Sequence, residues 1–156
     1  MKIKYAIVFF IVTLGFYSKV SFAQQIVIES KFIIQDARIN EQDISESWIK
    51  GASYLAFYTI SGSEESYFAS VNPGQKSNSS GRIFNLTHKL EKETASTYEN
   101  QVFAFKWSYS NSYDDKKGTA DVKIVQFKKN GRIGFMCTIN PENLDQVIFK
   151  GYMNLE

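Results

Sequence analysis

Residues 101–110 read QVFAFKWSYS, and this stretch decides the fold that the sequence predicts. Large side chains recur at every second position, which is the spacing of one face of an extended strand. The intervening side chains are smaller or polar, so the two faces of the strand differ in character. The aromatic residues that share one face are Phe103, Phe105, Trp107 and Tyr109.

The following segments alternate in the same way and are joined by short turns. Residues 119–128 (TADVKIVQFK) and 132–139 (RIGFMCTI) flank Asn130 and Gly131, a pair that strongly indicates a two-residue β-hairpin turn. Other apolar segments bounded by turn residues predict further strands. These segments are 25–35, 53–60, 66–71, 82–90 and 146–153.

About eight short strands joined by hairpins predict an all-β, antiparallel domain that spans residues 24–156. A sheet of that size exposes its edges unless it closes or folds over. We therefore predict a closed barrel, with a β-sandwich as the alternative. The architecture resembles lipocalin-like barrels in outline. The Gly-x-Trp pattern of their first strand does not occur, because Glu46 and Ser47 precede Trp48, so no residue role is transferred from them.

Helices are expected to be few and short. Residues 40–50 could form one, with Ile44 and Trp48 on the same side, and residues 90–99 could form another or a charged loop. The serine-rich residues 77–81 (SNSSG) predict a flexible turn. Within 82–90, regular alternation would bring four side chains to one face. These side chains are Phe84, Leu86, His88 and Leu90.

Residues 1–23 have the three parts of a secretory signal peptide. Lys2 and Lys4 precede an apolar run over residues 6–17, and small residues at Ser21 and Ala23 fit a cleavage site. The run is too short for a membrane span. We therefore expect an exported protein, periplasmic or secreted, whose mature chain has no membrane span.

The net charge argues against a polyanionic partner. The full chain has a formal charge of +2, but loss of Lys2, Lys4 and Lys19 with the leader leaves 15 basic against 16 acidic side chains. A mature chain near neutrality has no extended basic surface to attract nucleic acid. We expect no nucleic-acid partner.

Few residues could support catalysis. His88 and Cys137 are the only histidine and cysteine in the sequence, so any imidazole or thiol mechanism must use them. Cys137 lies on the apolar face of its strand, where a thiol is typically buried and unreactive. No serine lies in a G-x-S-x-G motif. We expect no catalytic residues and no enzymatic activity.

Metal and cofactor sites have equally little support. One histidine and one cysteine cannot form a zinc site of the usual spacing. Asp114 and Asp115 could offer oxygen ligands to calcium, but Lys116 and Lys117 follow directly and would repel the ion. The glycines lack the spacing of a phosphate-binding loop. We expect neither a metal ion nor a cofactor.

The aromatic strand suggests a function but leaves two interpretations open. Its rings could fill a packed core, or they could line a cavity in which Trp107 and Tyr109 offer polar groups to a ligand. The first hypothesis is a barrel that binds a small apolar or amphipathic molecule. The second is a filled barrel that binds a protein partner, as an inhibitor or adhesion module, through exposed tyrosines such as Tyr67 and Tyr113. The candidate ligand-binding residues are Phe103, Phe105, Trp107 and Tyr109, with Tyr54, Phe84 and Phe135 as neighbours.

Signal-peptidase cleavage after Ala23 is the first testable prediction, because the small residues at Ser21 and Ala23 fit the enzyme's specificity. The mature protein should begin at Gln24. Intact-mass measurement of the protein recovered from the cell envelope or the medium checks this. Recovery of the uncleaved chain with the membranes would contradict it.

Overall fold

The computed structural model describes residues 24–92, 99–129 and 131–154. The predicted leader and residues 93–98 of the second helix-or-loop segment lie outside these residues. The described chain is almost entirely antiparallel strand, with one short α-helix and one 3₁₀ turn. The elements are β1 (Ile26–Ile39), β2 (Gln42–Asp43), α1 (Ser45–Lys50), β3 (Tyr54–Ile60), β4 (Ser66–Asn72), the 3₁₀ turn (Pro73–Gln75), β5 (Ser77–Lys92), β6 (Glu99–Asn111), β7 (Lys117–Lys129), β8 (Arg132–Pro141) and β9 (Val147–Asn154).

The strands form a closed barrel of eight strands with one extra strand. From β3 to β9, each strand pairs with the next one along the chain, and β1 pairs with both β3 and β9 to complete the circle. The two-residue β2 adds only a short pairing at the end of β1, where Arg38 faces Asp43. The predicted all-β barrel is therefore confirmed, and the sandwich alternative is wrong.

Strand β1 closes the barrel because it bends between two partners. Its first half pairs with β3 from Ile26 to Ile33, and its second half pairs with β9 from Lys31 to Ile39. The register shifts once against each partner, between Ile28 and Ser30 and again after Ile34. Such bulges increase the local twist and bend a strand, which allows one strand to reach both neighbours.

Two glycines allow the backbones to approach closely where the sheet curves. A Cβ atom on Gly81 would overlap the carbonyl oxygen of Ser108 on β6, and one on Gly151 would overlap the carbonyl oxygen of Ile33 on β1. Gly134 behaves differently, because the ring of Phe127 on the paired strand lies directly over it. Glycine is thus required at positions 81 and 151 by backbone atoms.

Aromatic rings fill one half of the barrel interior. Phe32 and Phe135 lie 5.2 Å apart, and Phe68 lies 5.3 Å from Phe105, in both cases edge to face. Phe57 contacts Phe68 and Phe105 at 5.3 and 5.4 Å. These are the separations and angles that aromatic pairs prefer. We call this part of the barrel the closed half, and its core also contains the buried Leu55, Ile124 and Cys137.

The serine-rich residues 77–81 are strand, so the predicted flexible turn is wrong. They form the first part of β5 and pair with β4 on one side, and Ser79–Gly81 also pair with β6 on the other. Hydrogen bonding to neighbouring strands has overridden the local preference of serine, asparagine and glycine for turns.

A bulge in β5 also breaks the predicted face. The register against β6 shifts between Phe84 and Thr87, and Asn85 at the bulge has a φ of 53°. Phe84 faces Lys106 on the outside of the barrel, whereas His88 faces Phe103 on the opposite side of the sheet. One extra residue reverses the orientation of every side chain after it, so Phe84 does not share a face with His88.

The helix is shorter than the sequence predicted. Asn40 and Glu41 form a turn with positive φ values of 46° and 69°, and only Ser45–Lys50 is helical. No helix within the residues that the structure describes is long and apolar enough to cross a membrane.

We expect Gly81→Ala to lower the free energy of unfolding by about 3 kcal/mol, because the new Cβ must displace a backbone carbonyl that cannot rotate away. Gly62→Ala is the matched control: Gly62 has a φ of 83° and no other atom near its Cβ position. That change should cost about 1 kcal/mol of backbone strain alone. Urea unfolding of both variants measures the difference, and equal costs would contradict the role of Gly81 in closing the barrel.

Candidate functional site

The half of the barrel opposite the packed rings contains a cavity of about 850 Å³ that is partly open to solvent. It lies where residues 112–116 connect β6 to β7 and residues 142–146 connect β8 to β9. Both tryptophans of the chain, Trp48 and Trp107, line it. We call this part of the barrel the open half. Its apolar lining consists of Ile39, Trp48, Trp107, Tyr109, Ile139, Pro141, Leu144, Val147 and Phe149.

The predicted aromatic wall is divided between the two halves. Trp107 and Tyr109 line the cavity. Phe103 and Phe105 belong to the packed core, and Phe135 is fully buried there. Strand β6 therefore combines the packed core and the cavity wall that the sequence offered as alternatives. Its first two aromatic rings pack in the core, and its last two line the cavity.

Tyr54 and Phe84 lie on the outer face of the barrel, so the prediction that they adjoin the aromatic wall is wrong. Tyr54 alternates with the buried Leu55, and its ring lies 4.4 Å below the ammonium group of Lys31. Phe84 is 38% exposed and lies against the guanidinium group of Arg82. Both rings interact with cations at the surface, away from the cavity.

Trp107 presents only its apolar surface to the cavity. Its indole N–H donates a hydrogen bond of 3.1 Å to the carbonyl oxygen of Phe68, and its ring meets the Phe68 ring edge-on at 5.1 Å. We predicted from the sequence that the indole N–H would bind a ligand, but it instead holds the Trp107 ring in place. A rigid apolar surface costs little conformational entropy when a ligand binds.

Tyr109 extends the apolar wall toward the mouth of the barrel. Its ring lies 4.7 Å from that of Trp107 and passes so close to Gly118 that a Cβ there would meet the hydroxyl oxygen at 2.8 Å. Burial raises the pKa of the Tyr109 hydroxyl, and the carboxylate of Asp114 raises it further. Tyr109 is therefore a neutral phenol at physiological pH.

Helix α1 brings the second tryptophan to the cavity. Trp48 packs on Phe149 of β9 with 4.6 Å between ring centroids. After the helix, Gly51 packs against the turn that follows β4: a Cβ on Gly74 would lie 2.8 Å from the Cα of Gly51. This glycine-to-glycine contact holds the helix close to the barrel and positions Trp48 at the mouth.

A polar wall lies beside the aromatic one, on β4, β5 and β6. Asn111 donates from its side-chain nitrogen to the hydroxyl oxygens of Ser77, at 3.2 Å, and Ser79, at 2.9 Å. Ser70 on the adjacent strand is directly opposite Ser79. The four residues of this polar wall, which all line the cavity, are Ser70, Ser77, Ser79 and Asn111.

Sequence reasoning missed the polar wall, because the segment SNSSG resembles a turn. The signal that could have revealed it is the two-residue spacing of Ser77 and Ser79, continued by Gly81. Small residues at the inward positions of a barrel strand leave space in the interior, in contrast to the rings of β6.

The charged groups at the cavity balance one another. The lining contains two acidic side chains, Asp114 and Glu142, and two basic ones, Lys116 and Lys117. The ammonium group of Lys116 lies 3.0 Å from the Asp114 carboxylate, and this hydrogen bond lowers the pKa of Asp114. The cavity therefore carries no net charge that would select an ionic ligand.

The candidate nucleophile and base lie elsewhere. Cys137 is fully buried in the core, and burial raises the pKa of its thiol far above the usual range. His88 is exposed and stacks on Phe103 at 4.6 Å, and it is not part of the cavity lining. Within the described residues, no three His, Cys, Asp or Glu side chains come together to hold a metal ion.

Comparison of the chain with models of protein families, with curated proteins and with solved structures finds no match. The functional interpretation therefore depends on the geometry of the cavity.

We expect the Cys137 thiol to react with Ellman's reagent only as fast as the native protein unfolds, because a buried thiol rarely forms the thiolate nucleophile. At pH 8, the native protein should show slow labelling, and a sample in concentrated urea should release one equivalent at once. Prompt, stoichiometric labelling of the native protein would contradict the burial.

Proposed function

We propose that this protein is an exported, soluble, non-catalytic β-barrel that binds one small amphipathic molecule in the cavity of its open half. The observation that supports the proposal is a cavity of about 850 Å³ with two tryptophans and a polar wall around it. Ligand-binding cavities in proteins typically measure about 300–1,000 Å³ and combine an apolar lining with a few positioned polar groups.

The apolar lining would provide most of the binding free energy. Burial of apolar surface contributes about 25 cal/mol per Å², before the costs of ordering the ligand are subtracted. The rings of Trp107 and Phe149 are held by neighbouring rings, so they lose little freedom on binding. The balanced charges of the lining favour a ligand without net charge.

The proposed export depends on the leader-like residues 1–23, with their two early lysines and apolar run. The proposed absence of catalysis is supported by the burial of Cys137 and by the position of His88 outside the cavity lining.

A protein partner remains the second candidate, and one residue favours it. Tyr113 is 76% exposed in the turn after β6, beside the mouth of the cavity. Tyr67, the other tyrosine considered, stacks on Tyr58 at 5.3 Å and donates to the Glu65 carboxylate at 3.1 Å. Tyr67 is thus engaged by its neighbours on the outer face of the barrel, and of these two tyrosines Tyr113 is the one that is free to anchor a partner.

Fluorescence should detect ligand binding directly, because both tryptophans of the chain line the cavity. We expect the uncharged dye N-phenyl-1-naphthylamine to bind the native protein with a stoichiometry of one and to quench tryptophan emission by energy transfer. Ser70→Phe should weaken this binding at least tenfold, because Ser70 is only 7% exposed and the new ring must occupy the cavity.

Ser110→Phe is the matched control, since Ser110 lies on the outer face of β6 and outside the cavity. It should bind the dye as the unmodified protein does. Circular dichroism verifies that both variants are folded. Unsaturable dye binding, or equal binding by the two variants, would rule out the cavity as the site and leave the protein-partner hypothesis.

A further inference from the structure

Asn111 determines which atoms of the polar wall donate hydrogen bonds and which accept them. The side-chain oxygen of Asn111 accepts a 2.8 Å hydrogen bond from the backbone N–H of Tyr113. A backbone N–H can only donate, so the oxygen of the amide must face Tyr113 and its nitrogen must face the serines. The orientation of this amide therefore follows from its partners.

Both hydrogens of the Asn111 amide nitrogen are then used. One is donated to the hydroxyl oxygen of Ser77 and the other to that of Ser79. Neither serine can return its proton to the nitrogen, which has no lone pair to accept it. Among the residues that the structure describes, neither serine hydroxyl donates to a protein acceptor. The two hydroxyl protons are thus available on the cavity side.

The wall is also held in place before any ligand binds. Ser79 and Asn111 are directly paired on β5 and β6. The backbone N–H of Asn78 donates to the Ser112 hydroxyl at 3.2 Å, and that of Ser112 donates to the Asn78 carbonyl at 2.8 Å. Two donors on such a framework need little rearrangement to meet an acceptor.

We infer that the ligand presents a neutral hydrogen-bond acceptor, of the ketone or ester carbonyl type, to Ser77 and Ser79 while its apolar body lies against Trp48, Trp107 and Phe149. This inference depends on the proposed ligand-binding function and specifies its chemistry. A ligand that displaces solvent from the polar wall must supply acceptors, or the two hydroxyls lose hydrogen bonds on binding. The balanced charges at the cavity favour a carbonyl over a carboxylate.

A matched pair of probes tests the inference. 2-Undecanone and 2-methyl-1-undecene have nearly the same shape, but only the ketone carries an acceptor. Affinities are measured by the change in tryptophan emission, and the ratio of the two affinities is compared between variants so that differences in ligand hydration cancel. A hydrogen bond from the polar wall to the ketone should make the ratio of ketone affinity to alkene affinity about 3- to 10-fold higher in the unmodified protein than in a variant that lacks this hydrogen bond.

Three variants define the expected pattern. Ser77→Ala combined with Ser79→Ala should lower the ratio about 3- to 10-fold while binding of the alkene is kept. Asn111→Asp should lower it as well, because a carboxylate in place of the amide accepts the serine protons and withdraws them from the cavity. Ser110→Ala, on the outer face of the same strand, should leave the ratio unchanged.

The outcomes separate this inference from the proposed function. If both probes bind the unmodified protein but the ratio is the same in all variants, the polar wall does not select an acceptor and the inference is wrong. If neither probe binds, the proposed function itself fails. A lowered ratio in both the double serine variant and Asn111→Asp establishes the acceptor specificity.

Discussion

Closure of the barrel through β1 is the constraint on which the rest of the structure depends. This strand pairs with β3 over its first half and with β9 over its second. Two bulges bend it, and Gly151 lets β9 approach so closely that no side chain fits there. Closure leaves no long free edge and creates an enclosed interior. Both the packed core and the cavity exist because that interior is sealed along the sides.

The interior is then divided by the size of the inward side chains. In the closed half, rings such as Phe32 and Phe135 meet edge to face and are fully buried. In the open half, the serines of β5 occupy the positions that rings hold elsewhere, and Trp48 from α1 lines the same cavity. Small polar residues on one side and fixed rings on the other make a cavity suited to a molecule with both characters.

Much of the fold could be predicted from alternation, because a period of two is a local property of each strand. The aromatic face of β6 and the antiparallel pairing of β7 with β8, up to Lys129 opposite Arg132, appear in the structure as expected, whereas Asn130 of the predicted turn lies outside the described residues. The face of β5 could not be predicted, because the bulge at Asn85 depends on pairing with β6. The polar wall was missed for a related reason: strands on both sides convert a serine-rich segment from turn to sheet.

The sequence by itself determined the class of the fold, the positions of most strands and the burial of Cys137, since these follow from residue type and spacing. Only the tertiary structure decided which aromatic rings of β6 pack in the core and which line the cavity. It also decided where Asn111 directs its two amide hydrogens. Those features depend on contacts between residues more than 30 positions apart, and no local pattern records which distant strand a side chain will face.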